Sequence, residues 1–175
     1  RALKYFWFAP AEINGIPLII QRSGYSKQGG FEIYLSDGTR GTELWNIIKE
    51  AGQPWGIGPG NPNPIERIES GLLSYGGDTD DQTNPFEVRL GKYVNLDLDD
   101  EVVGIQALRK IKATGIKRQQ LGIVLDNPER RPGHAIWYAV QQGDKRVGHM
   151  TCGAWSPRVG SMIGFGLVRA DLTVG

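Results

Sequence analysis

The spacing of apolar residues divides the chain into a first part where strand and helix periods alternate and a last part made of strand periods alone. Residues 16–22 (I-P-L-I-I-Q-R) are rich in β-branched side chains and follow the turn pair Asn14-Gly15, which predicts a strand. Residues 23–30 are glycine and small polar residues and read as a loop. Residues 31–35 alternate, placing Phe31, Ile33 and Leu35 on one face of a second strand and Glu32 and Tyr34 on the other. Leu44, Ile47, Ile48 and Ala51 then recur at i, i+3, i+4 and i+7, one stripe of an amphipathic helix that Gly52 ends.

A Gly/Pro-rich connection over residues 54–62 leads to Asn63, which predicts an N-cap with Pro64 at the first helical position and Glu66 at capping-box distance. Ile65, Ile68 and Leu72 supply the buried side of that short helix, and Arg67 lies off their stripe. Residues 78–83 read as a polar, solvated loop carrying Asp78, Asp80 and Asp81, and Asn84-Pro85 opens a further helical turn. Apolar residues at 105, 108 and 111 predict a helix closed near Gly115. Beyond it, Leu121, Ile123 and Leu125 alternate, residues 135–140, 147–155 and 162–168 are strand candidates, and Gln142-Gly143-Asp144 predicts a hairpin turn. Short strands separated by turns predict a small β-barrel or sandwich. The expected organisation is α+β: residues 1–97 as a mixed or antiparallel sheet with helices, 98–115 as a connecting helix, and 116–175 as a small, incomplete β-barrel.

Composition narrows the class. A chain of 175 residues with 39% hydrophobic and 22% charged content is that of an ordinary globular protein. A net charge of +1 without a basic run argues against nucleic acid or an anionic membrane as partner. No segment approaches the roughly 18 apolar residues of a membrane span. The single Cys152 cannot form an internal disulfide, which fits a cytoplasmic setting, and reads as a small buried strand residue. His134 and His149 lack metal-ligand spacing with Cys152, and Gly24, Gly29 and Gly30 are not followed by P-loop residues, so neither a metal nor a phosphate cradle is expected from them.

Residues 65–87 carry the most specific wording: I-E-R-I-E-S-G, then S-Y-G-G-D, then N-P-F-E. In order and spacing this segment resembles the folate-dependent aminomethyltransferases, the T-protein family of glycine cleavage. Its wording is nearer to the dimethylsulfoniopropionate demethylase branch than to glycine-cleavage members, which more often read L-R-L-E-A-G, P-L-Y-G and T-P-L-E. Set against the family, the chain corresponds to its central and later part, which implies a fragment without the N-terminal portion and the extreme C-terminus. The implied cofactor is tetrahydrofolate and the implied substrate a small molecule.

The resemblance assigns roles residue by residue. Gly30-Phe31-Glu32 matches the family's G-F-E, whose glutamate contacts folate. A carboxylate can accept the two parallel donors that a pterin presents, its ring N–H and its amino group. The alternative is a solvated glutamate on a half-exposed strand. Arg67 matches an arginine that serves ligand binding, suited to the glutamyl tail of folate or to an acidic substrate; the alternative is an exposed arginine pairing with Glu66 or Asp78. Tyr34 matches a substrate contact of the demethylase branch, and Tyr25 stands where that branch carries a tryptophan. Aromatic faces attract a sulfonium centre, although both tyrosines also suit packing. Tyr75 is a further candidate for the folate pocket.

In family terms the aspartate near the folate N5/N10 edge belongs to the N-terminal part, so no catalytic acid or base is assigned within residues 1–175, and this portion alone is expected to be inactive or nearly so. The implied reaction is demethylation of a sulfonium donor to give 5-methyltetrahydrofolate. The alternatives are a glycine-cleavage aminomethyltransferase, which needs a lipoyl carrier protein, a folate-binding module of an amine dehydrogenase, and a non-enzymatic folate binder, whose K-G-C-Y-x-G-Q-E-like segment is absent here.

Overall fold

The computed structural model describes residues 3–25, 28–61, 63–98, 101–126 and 138–172. The chain divides into two compact units, Arg1–Ser70 and Gly71–Gly175, each with its own antiparallel sheet.

The first unit is a three-stranded sheet with helices. β1 (Phe8–Ile13), β2 (Ile16–Gln21) and β3 (Glu32–Leu35) are hydrogen-bonded in that order. Asn14 at φ 48° and Gly15 at φ 74° join β1 to β2, with Ile13 directly opposite Ile16. Both central residues of this tight hairpin are left-handed, as Asn-Gly favours. β1 is not among the strands the sequence pattern predicts; its Pro10 is tolerated because β1 is an edge strand and needs ladder bonds on one side only. α1 (Gly41–Gly52) packs its apolar stripe on one face of this sheet, where Ile16, Leu18 and Leu44 are buried and Ala11, Ile13, Ile20, Leu35, Ile47 and Ile48 complete the core. α2 (Pro64–Glu69) starts as the sequence predicts: Asn63 Oδ1 accepts from the Ile65 N–H at 2.8 Å, and Pro64 occupies the first turn.

The second unit contains α3 (Ile105–Thr114) and a sheet of β4 (Arg118–Val124), β5 (Ala139–Gln142), β6 (Lys145–Ser156) and β7 (Ser161–Arg169) in the order β4-β7-β6-β5. Gly115, at φ 81°, stops α3 where the sequence places its end. The β5–β6 hairpin turns through Gly143 at φ 60°. The candidate strand over 135–140 reaches back into residues outside the described ones and is seen as β5. Among the described residues the sheet is open, since neither edge strand, β4 nor β5, is paired to close it. Four strands are too few to close on themselves.

The ladder between β6 and β7 shifts register between Met150 and Cys152, which leaves Thr151 as the extra residue of a bulge. Its hydroxyl donates to Asp78 Oδ1 at 2.7 Å, and the Ser74 N–H donates to Asp78 Oδ2 at 2.9 Å. This corrects the reading of residues 78–83 as wholly solvated: Asp78 is 3% exposed, whereas Asp80 and Asp81 are exposed. A buried carboxylate needs donors, and the side chain that supplies one lies 73 positions along the chain.

Asn84 caps a single helical turn, its Oδ1 accepting from the Phe86 and Glu87 N–H groups at 3.0 and 3.1 Å. Glu87 then ties this turn to β4. Its carbonyl accepts from the Gln120 N–H at 2.7 Å, and its carboxylate meets the Arg118 guanidinium at 3.0 and 3.1 Å. That carboxylate holds Arg118 above its ordinary range.

Candidate functional site

Glu32 opens β3 and Tyr34 follows two residues later, so the pleat sends both side chains to the same face of the sheet, away from the core beneath α1. There they meet: the Tyr34 hydroxyl donates to Glu32 Oε2 at 2.6 Å. Pairing register sets Gln21 beside Glu32 and Ile19 beside Tyr34, with Phe8 and Pro10 continuing the row on β1. The result is an open sheet face whose polar corner is a carboxylate and a phenol, bordered by exposed apolar side chains. Tyr34 is 50% exposed and Phe8 67%, so a flat molecule has access to this face.

The Glu32 bond raises the Tyr34 pKa, first by accepting its proton in a hydrogen bond and then through burial and the carboxylate charge. The phenol therefore stays protonated at neutral pH and donates. A carboxylate offers about four lone-pair positions. Glu32 is exposed and accepts this one bond, so it retains capacity for two parallel donors. This donor–acceptor set fits a pterin.

Tyr25 is also exposed, in the glycine loop before β3, and no hydrogen bond among the described residues joins it to Glu32 or Tyr34. Arg67 sits in the last turn of α2 and is only 9% exposed. The alternative of an exposed surface arginine does not hold, because a guanidinium at that depth requires partners, and Arg67 has interactions within the protein. Tyr75 is 77% exposed at an isolated bridge to Thr79. Cys152 is buried in β6, His149 lies across from Leu167 on β7, and His134 falls outside the described residues. Asp78 and Thr151 are the buried polar pair that sequence reasoning missed, since a bulge leaves no periodic trace.

Comparison with known proteins agrees with the residue wording. The GCVT N-terminal domain matches residues 1–98, and the glycine cleavage T-protein C-terminal barrel domain matches residues 118–175. Dimethylsulfoniopropionate demethylase DmdA of Ruegeria pomeroyi is 36% identical over 168 residues, covering 96% of this chain and 45% of that protein. An aminomethyltransferase of Halothermothrix orenii is 33% identical over 172 residues, covering 97% of this chain and 47% of its own length. The crystal structure of glycine cleavage system aminomethyltransferase T from Bartonella henselae superposes with a TM-score of 0.70 at 22% identity, over 90% of this chain and 43% of that one, and so shares its fold. The chain thus spans less than half the length of the curated relatives it matches. No helix among the described residues is long and apolar enough to cross a membrane. With both parts matched in sequence and the fold in common, the chain belongs to the glycine cleavage T-protein family.

Proposed function

We propose that this chain is the later portion of a tetrahydrofolate-dependent one-carbon transferase that demethylates a sulfonium donor such as dimethylsulfoniopropionate. The observation that carries the folate reading is the Glu32–Tyr34 pair on an open sheet face, with Glu32 standing in the family's G-F-E wording. Tetrahydrofolate, when bound, supplies the N5 amine that takes up the one-carbon unit. Glu32 would hold the pterin by accepting from its ring N–H and its amino group together. Tyr34 holds Oε2 of Glu32 in place and presents its own aromatic face. Arg67 receives a ligand carboxylate.

A sulfonium donor is a cation with a neutral leaving group, so the protein's task is placement rather than acid catalysis. A bound tetrahydrofolate would supply the methyl acceptor, and the sulfonium would give up its methyl group with a neutral thioether as leaving group. Tyr34, with Tyr25, offers the π surface that favours a cationic centre by about 1 kcal/mol or more once water is excluded.

The second reading is an aminomethyltransferase, favoured by the relatives of that name at similar identity. It requires a lipoyl carrier protein as partner. Calorimetric titration of tetrahydrofolate into the chain tests the folate reading. Micromolar binding that weakens at least tenfold (about 1.4 kcal/mol) in Glu32→Gln is the expected result; an unchanged affinity in that variant sinks it. Assaying the intact gene product with a sulfonium donor and with a lipoyl-bound aminomethyl group separates the two reactions.

A further inference from the structure

A second feature lies wholly within the Gly71–Gly175 unit and has no part in the folate reading. An open basin of about 440 Å³ is lined by Phe86, Arg89, Lys92, Ile111, Lys112 and Ile116, with Gly91 and Gly115 between them. The lining carries three cations and no carboxylate, in a chain whose net charge is only +1. Arg89 and Lys92 follow the Asn84 turn and Lys112 comes from α3, and among the described residues no acidic side chain forms an ion pair with any of them. Lys112 Nζ stands 5.6 Å from the centre of the Phe86 ring, and Lys92 Nζ 4.9 Å from that of Tyr93. Gly91 matters to the wall, because a Cβ there would come within 2.8 Å of the Phe86 ring.

Arg89 supplies an independent sign. The turn begun at Asn84 ends with the Leu90 N–H donating to the Pro85 carbonyl at 2.8 Å and the Arg89 N–H to the Phe86 carbonyl at 3.4 Å. That pair of bonds is the Schellman stop, and its left-handed residue is Arg89, at φ 60°. Glycine occupies this position most cheaply, and a long β-carbon-bearing side chain is strained there. An arginine held in a glycine position, beside two lysines and above an apolar floor, is strain located at a cavity, the arrangement that ligand sites tend to show.

We propose that this basin binds a small molecule carrying at least two adjacent negative charges on an apolar or aromatic body. The volume lies in the range of small-ligand pockets, roughly 300–1,000 Å³. The cations take the anionic head, and Phe86, Ile111 and Ile116 take the body. The head can be a phosphoanhydride, as in a nucleoside diphosphate, or a set of carboxylates.

Titrations of the full chain at low salt with ADP, with benzene-1,3,5-tricarboxylate and with inorganic pyrophosphate test this. ADP or the tricarboxylate is expected to bind at or below about 1 mM, and whichever binds more tightly names the head. Affinity should fall by about tenfold in Lys112→Gln and in Arg89→Gly, with the loss growing smaller as salt is added. Arg89→Gly also relieves the backbone, so it should unfold at the same temperature as the unmodified chain or a few degrees higher. A weakened ligand in an equally stable protein excludes a folding defect. Binding by none of the three probes, or binding unchanged in both variants, overturns the site. Pyrophosphate binding as tightly as ADP overturns the part given to the apolar floor.

Discussion

Tyr34 and Glu32 share one proton-rich contact whose fate with pH can be worked out. Because the folded pKa of Tyr34 lies above its ordinary 10.0, the folded chain holds that proton more firmly than the unfolded one. The bond's contribution is therefore complete below about pH 10 and is lost as pH rises through the higher folded value. Observing Tyr34 by tyrosine-ring carbon NMR, its titration should move down toward the ordinary value in Glu32→Gln; no movement would mean the contact is absent in solution. The buried pair behaves differently. Thr151→Val removes the hydroxyl donated to Asp78 and leaves a buried carboxylate one donor short, which should cost about 1–3 kcal/mol in denaturant unfolding. A cost near zero would show that Asp78 is reached by water. Local wording revealed the shared face of Glu32 and Tyr34, since strand alternation fixes which neighbours lie together. It could not reveal Asp78, whose surroundings are set by a residue distant in sequence.

Among the elements, α2 and the β6–β7 ladder depend on opposite kinds of information. The start of α2 is written locally: Asn63 caps, Pro64 presets the first turn, and the sequence places both. Asn63→Ala should destabilise the helix by about 1 kcal/mol and speed exchange of the Ile65 amide, which donates to the cap. Unchanged exchange would assign the helix start to packing instead. The β6–β7 ladder depends on closeness between strands. A Cβ at Gly164 would lie 2.1 Å from the Cys152 carbonyl oxygen, and backbone cannot yield as a flexible side chain can. Gly164→Ala should therefore cost about 3 kcal/mol or more, read as a shifted denaturation midpoint. Alternation alone marks β7 as a strand, but it does not show which of its glycines are required by an adjacent backbone.

On the scale of the molecule, the two compact units have cores of different construction. In the first, one sheet face and the stripe of α1 bury Ile16, Leu18 and Leu44, while the other face stays open around Glu32 and Tyr34. In the second, β7 runs between β4 and β6 and is buried along nearly all its length. Hydrogen exchange should accordingly be slowest in β7 and fast across the exposed connection after α1, because opening a central strand breaks two ladders at once. Comparable protection in both places would contradict this sheet order.

The sequence by itself determined the family, the period and placement of most elements, the N-cap of α2 and the end of α3, and the shared face of Glu32 and Tyr34. Each of these follows from residues within a few positions of one another, where backbone geometry alone sets which side chains meet. Tertiary structure decided the rest. Pro10 became acceptable because its strand lies at an edge, Asp78 was buried against a bulge at Thr151, and Arg67 was drawn inside despite lying off the apolar stripe. It also gathered Arg89, Lys92 and Lys112 around one basin. Burial and charge density are properties of the packed chain, produced by segments that periodicity cannot relate to each other.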